Sequence, residues 1–165
     1  MWKGKVLSIY ITPNSGVPLT SVKSVRTIPG RGLEGDRYFY ERGYFSKKPG
    51  PDREMTLIEI EAIEALNRDY QVQISPGDLR RNVVTQGVPL NHLVGEEFVI
   101  GEVLLRGIRL CEPCAYLAHL LGNNKVMNGL IHRGGLRAQI LSEGIINVND
   151  TIIAQNVDSK AIPFS

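Results

Sequence analysis

The sequence predicts a mainly β protein, a barrel or similar β-rich fold carrying a few short helices. Three observations point there. Short β-branched runs recur between turns rich in Gly, Pro and Asn. Only two segments carry a clear helical pattern. The regular alternation of strand and helix that builds a doubly wound parallel sheet is missing, as is a glycine fingerprint for a dinucleotide.

Lys5 to Ile11 and Ser21 to Ile28 read as strands, the second with imperfect alternation, and TPNSGVP between them reads as a loop or hairpin tip. PGRGLEGDRY follows as a glycine-rich turn. Thr56 and Glu59 form a capping-box pattern ahead of Ile60, Ile63 and Leu66, which predicts a helix over 57–69. SPGD is a turn and RRNVVTQG a short strand. EEFVIGEVLLRGIRL reads as two strands joined at Gly101-Glu102. Pro113 fits the first turn of a short helix, PCAYLAHLLG, that ends at Gly122. LRAQILSEG and NDTIIAQ close the chain as two strands around a turn from Gly144 to Asp150.

At 165 residues, with 42% apolar and 22% charged residues, the chain fits one globular domain that needs neither disulfide nor structural metal to fold. No repeat or charge block suggests a boundary within it. The core is expected over about 4–155, with NVDSKAIPFS at 156–165 a surface or loosely ordered tail. No apolar run is long enough to span a bilayer, and the first residues lack a small-residue cleavage site. With only two cysteines, a cytoplasmic setting and no membrane partner are expected. A net charge of +2 without an aromatic-interleaved basic face gives no support for nucleic acid.

Both cysteines lie in RLCEPC, two residues apart. Read from spacing alone, Cys111 and Cys114 are a redox pair, half of a zinc site, a ligand for another metal, or packing thiols. A second cysteine pair is absent, and His92, His119 and His132 lack zinc-finger spacing. Cys114, beside Pro113 where a helix should start, is the expected reactive thiol. Six arginines, Arg31, Arg37, Arg80, Arg81, Arg133 and Arg137, lie in or beside glycine-containing turns or strand starts, a placement suited to an anionic small molecule. Asp36 reads as an arginine anchor or turn cap. His132 reads as a ligand-positioning or structural histidine, and His119 as a packing or solvent-facing one. No Ser/His/Asp grouping and no paired carboxylates support hydrolase chemistry.

Taken in order, GLEGDRY, DLRRNVVTQGVPLNHLVG, RLCEPC, HRGGLRAQIL and GIINVNDTI resemble the MOSC family, named for the C-terminal domain of molybdenum cofactor sulfurases, over about residues 4–155. The resemblance implies a MOSC-type β-barrel and a stand-alone bacterial member. It also implies a role in binding the molybdenum cofactor or carrying sulfur for metal–sulfur centres. Cys114 matches the family's characteristic cysteine, as metal ligand or persulfide carrier, with Cys111 resolving or exchanging sulfur. Arg37, Arg81, Arg133 and Arg137 are then expected to hold the cofactor phosphate, and Asn82 and His132 to contact the pterin or orient the thiolate. The chain has no room for a pyridoxal-phosphate desulfurase domain, so sulfur would come from a cysteine desulfurase or other donor. The alternatives are a molybdenum-dependent reductase of N-hydroxylated compounds fed by an electron-transfer partner, and a CxxC thiol-disulfide module.

Overall fold

The computed structural model describes residues 1–155, so the expected tail at 156–165 lies outside the described residues. The chain starts with β1 (Gly4–Ile11), β2 (Thr20–Val22), β3 (Ser24–Ile28) and β4 (Gly32–Leu33), then a long loop to β5 (Met55–Glu59) and helix α1 (Ile60–Tyr70). Next come β6 (Val83–Gln86), β7 (Glu97–Ile100) and β8 (Val103–Leu110), then helices α2 (Ala115–Leu121) and α3 (Lys125–Leu130). The last strands are β9 (Leu136–Ile140), β10 (Gly144–Asn147) and β11 (Thr151–Ala154).

Seven strands close a barrel in the order β1-β11-β7-β8-β9-β5-β6, returning to β1. Closure leaves these strands no free edge. The expected β-barrel with a few short helices is what forms. Its interior follows from alternation: along β8, Val103, Leu105 and Gly107 are buried while the residues between them are less so. Val6, Leu57, Phe98, Ile100, Leu105, Ala138 and Ile152 meet inside with no exposed surface. A second apolar cluster on the outside packs Ile63 and Leu66 of α1, Leu117 of α2, and Val126 and Leu130 of α3 against Ile58 and Val84.

Four expectations are corrected. The predicted helix over 57–69 begins only at Ile60; Met55–Glu59 is a strand, and Thr56 lies within it rather than at a cap. Met55, Leu57 and Ile58 are buried in different clusters, so both faces of β5 are covered and its apolar run is continuous, which hides the strand. The pair Ser75 and Asp78 forms the real capping box, on a short 3-10 turn. Ser21–Ile28 is two strands: β2 pairs with β1, and β3 pairs with β10 and β4 in a separate sheet, so the chain changes sheets at Lys23 and the alternation breaks there. Gly144–Asn147, expected as a turn, is the strand that receives β3. The third helix, KVMNGL, carries an Asn and a Gly that mask it by propensity.

One end of the barrel gathers the expected motifs. β8 ends where β9 begins, Leu110 opposite Leu136. β5 starts beside β9, with Thr56 opposite Arg137, and Asn82 leads into β6 next to Thr56.

Candidate functional site

At that barrel end lies a cleft of about 280 Å³. Its floor is built by backbone contact. The Cys111 N–H donates to the Gly135 carbonyl at 2.7 Å. Gly135 has φ +111, and a Cβ there would run into the Leu57 carbonyl; one at Gly134 would meet that of Cys111. The HRGG turn therefore needs both glycines to pass beneath the cysteine segment. Arg81 locks the same floor, donating from Nε to Gly134 O at 2.8 Å, from Nη1 to Leu79 O at 3.1 Å and from Nη2 to Cys111 O at 3.1 Å. Asn82 accepts from the Thr56 N–H at 3.0 Å and donates to Tyr10 O at 3.1 Å, tying β5 to β1.

The two cysteines differ. Cys111 is 1% exposed, whereas Cys114 is half-buried, and both are free thiols that line the cleft. Cys114 is the N-cap residue of α2, extended at φ −129 and ψ 164, and its carbonyl accepts from Ala118 N–H at 3.2 Å. The helix ends at Gly122, as expected, with φ 63.

Six arginines share the lining: Arg37, Arg53, Arg80, Arg81, Arg109 and Arg137. Arg37 reaches Asp36 Oδ1 at 3.0 Å and the Arg80 carbonyl at 3.2 Å, which makes Asp36 the arginine anchor. Arg109 Nε binds Asp52 Oδ2 at 2.7 Å, Arg53 Nε lies 3.9 Å from Asp52 Oδ1, and Arg137 Nη1 donates to the Asp52 carbonyl at 3.3 Å. Arg109 and Arg137 are register partners on β8 and β9. Like charges placed opposite each other destabilise a sheet, and here the single Asp52 carboxylate answers three guanidinium groups.

Four buried side-chain polar atoms among the described residues have no hydrogen-bond partner, and three are guanidinium nitrogens of the cleft: Arg53 Nη1, Arg80 Nη2 and Arg137 Nε. The fourth is Asp36 Oδ2. Burial, then the charge of Arg137, pulls the Arg53 guanidinium below its usual value; burial, then Arg37, does so for Arg80. Guanidinium groups keep their charge at neutral pH, so the lowering reflects burial first and the crowding of positive charge second. For Asp52 burial alone would raise the carboxyl, but the Arg109 hydrogen bond with the Arg53 and Arg109 charges holds it below the ordinary range.

The remaining wall is aromatic. Tyr44 stacks on Tyr116 with centroids 3.8 Å apart and planes 12° apart, and the Tyr116 hydroxyl lies 3.1 Å from Ser15 Oγ. Arg53 and Arg137 sit over the Phe45 ring at 4.7 and 5.5 Å.

Of the residues expected at a site, the cleft brings together Cys111, Cys114, Arg37, Arg81 and Arg137. It does not include His132, Arg133 or Asn82. The His132 side chain is 82% exposed and faces Glu112, its Nδ1 3.4 Å from Oε1. Arg133 Nε donates to Gly129 O at 2.6 Å, and its Nη2 lies near Asp69. Arg31 sits over Phe39 outside the cleft, and His119 is exposed on α2. Sequence reasoning missed Arg53, Arg109 and the aromatic wall, although Arg109 is the first residue of the RLCEPC motif, two positions before Cys111. Among the described residues no group of three His, Cys, Asp or Glu side chains is placed to hold a metal ion, which removes the zinc-site reading its ligands. Among the described residues no helix is long and apolar enough to cross a membrane.

Solved structures with this fold include the YuaD protein from Bacillus subtilis, with TM-score 0.76 and 20% identity, covering 92% of this chain and 97% of that one. YiiM from Geobacillus stearothermophilus aligns with TM-score 0.71 and 16% identity over 93% of this chain and 75% of that one. YiiM from Escherichia coli gives 0.66 and 17% over 92% and 70%. A search of curated proteins gives no match. The MOSC domain family model matches residues 46–153, which include the cysteine motif, the HRGG turn and five of the six cleft arginines except Arg37, and the chain therefore belongs to the MOSC domain family.

Proposed function

We propose that this protein binds the molybdenum cofactor in the arginine cleft and acts through Cys114 as metal ligand or persulfide carrier. The observation that supports the reading is the convergence of an accessible thiol with unpartnered guanidinium nitrogens on one cleft. A phosphate-bearing, sulfur-rich ligand needs both, since guanidinium forks suit phosphate and a soft thiolate suits molybdenum. The family's association with this cofactor points the same way.

In this reading Arg53, Arg109, Arg137 and Arg80 hold the anionic part of the cofactor. Arg81 and Asn82 act beneath it, fixing the Cys111 carbonyl and Thr56 so that the floor does not shift. When bound, the cofactor supplies the metal and its redox and sulfur chemistry. The protein supplies the thiolate of Cys114, a positive field, and the aromatic wall of Tyr44, Phe45 and Tyr116 that excludes water. Cys111, sealed at 1% exposure and hydrogen-bonded through its backbone, supports the cysteine segment; this weighs against a freely exchanging dithiol. Sulfur would come from a cysteine desulfurase or comparable donor.

The deciding test is to incubate reduced protein with the molybdenum cofactor, repurify it, and measure molybdenum by elemental analysis beside Cys114→Ser. Retention by the wild type that falls at least tenfold in the variant supports the assignment. Equal retention in both removes Cys114 as a ligand. Mass spectrometry after exposure to a desulfurase and cysteine then reads the persulfide role: a 32 Da gain confined to Cys114 supports it, and its absence ends it.

A further inference from the structure

The cleft arginines fall into two groups, each gathered on its own carboxylate. Arg53, Arg109 and Arg137 surround Asp52 on the 3-10 turn Pro51–Arg53 and the facing ends of β8 and β9. Arg37 and Arg80 gather near Asp36 on the loop after β4 and the turn before β6. The cations acting on Arg53 are Arg137 and Arg109, and the cation acting on Arg80 is Arg37. Tyr38 is the neighbour common to both groups.

Each group holds more cations than its carboxylate neutralises, and each keeps an unpartnered donor. The first has Arg53 Nη1 and Arg137 Nε, with Arg137 only 8% exposed; the second has Arg80 Nη2 on the cleft lining, beside an unpartnered Asp36 Oδ2 that does not line it. An unpaired buried donor costs on the order of 1–3 kcal/mol, more when charged, so two such places are strong local demands for an acceptor. One anion on the Asp52 group would leave Arg80 unmatched. Arg81 does not join either group, because its three nitrogens are already bound to carbonyls.

We propose that the cleft has two anion subsites and that its ligand is a bis-anion, one anionic group on Arg53, Arg109 and Arg137 and the other on Arg37 and Arg80. The proposal stands apart from the thiol chemistry: it requires no metal and no role for Cys114. It also constrains any cofactor bound here, which must present two separated anionic groups rather than one terminal phosphate.

The test is calorimetric titration of the reduced full chain with inorganic phosphate, then with bisphosphonates of increasing linker length. The expected result is two phosphates per chain. Arg53→Met should abolish one and Arg80→Met the other, with thermal unfolding confirming that both variants fold. A bisphosphonate whose linker matches the span should bind at least about 100-fold tighter than phosphate, and either variant should return it to the phosphate level. The wild-type stoichiometry decides without any variant: one phosphate per chain, or none, overturns the proposal. Equal loss of a single class of sites in both variants also overturns it. Cys114→Ser should still bind two phosphates, and equal molybdenum retention by that variant and the wild type would then fail the cofactor reading while leaving this one standing.

Discussion

Arg81 gives all three guanidinium nitrogens to backbone carbonyls, while Arg80, its neighbour in the chain, leaves Nη2 buried without a partner. The same contrast separates the floor of the cleft from its rim. On the floor Arg81, Asn82, Gly134 and Gly135 are saturated with contacts to the backbone of other elements. On the rim Arg53, Arg80 and Arg137 are crowded and partly unmatched. Charge is therefore used for two purposes at one barrel end, to fasten strands and loops together and to wait for an anion. Hydrogen-bond accounting, rather than residue type, tells them apart.

The floor is most vulnerable at Gly135. Gly135→Ala forces a side chain into a left-handed backbone and against the Leu57 carbonyl, so a loss on the order of 4 kcal/mol, or failure to fold, is expected by urea unfolding. A loss under about 1 kcal/mol would mean that the floor yields easily. Next, Arg81→Met should cost about 3 kcal/mol by the same measurement, because it strands three buried carbonyls that the guanidinium now satisfies. Arg80→Met on the rim should change stability by less than about 1 kcal/mol, since relief from Arg37 offsets the lost bond to Val17 O. If Arg80→Met costs as much as Arg81→Met, floor and rim are energetically alike and the distinction fails.

The smallest effect concerns pH. Burial lifts the Glu54 carboxyl above its ordinary value of 4.5, partly offset by the N–H groups of Gly30 and Ile140. A carboxyl raised in the fold is penalised once ionised, so its stabilising balance is best below that value and is lost as pH rises through the raised one. The stability of Glu54→Gln relative to wild type should accordingly grow from pH 4 to pH 7 in paired thermal melts. A flat difference would show that Glu54 titrates normally.

The barrel was legible because its strands alternate and end at Gly, Pro or Asn turns; Gly101 joins β7 and β8 where the turn residues indicate. β5 was not, since Met55–Ile58 is buried on both faces and Thr56 with Glu59 imitates a helix start. The break at Lys23 is a change of sheet, a tertiary fact that local propensity does not encode. Within the cleft, Cys114 and Arg137 were legible from motif and turn context. Arg53 and Arg109 were not, because what brings them together is the register of β8 with β9 and the turn before β5, both long-range. His132 illustrates the converse: it sits inside a recognisable motif, yet its side chain is exposed and meets Glu112 of the cleft wall without lining the cleft itself.

The barrel is sealed by β1 against β11, with Gly4 opposite Ile152 and Lys5 opposite Thr151. During synthesis, this seam must wait until Thr151 and Ile152 have left the ribosome, long after Arg37, Arg53 and Arg80 have emerged. Those cations spend the intervening seconds on an open sheet rather than in a finished cleft. Ligand loading in the cell is thus expected to follow emergence of β11, and a nascent protein stalled before residue 151 should bind no phosphate in the cleft.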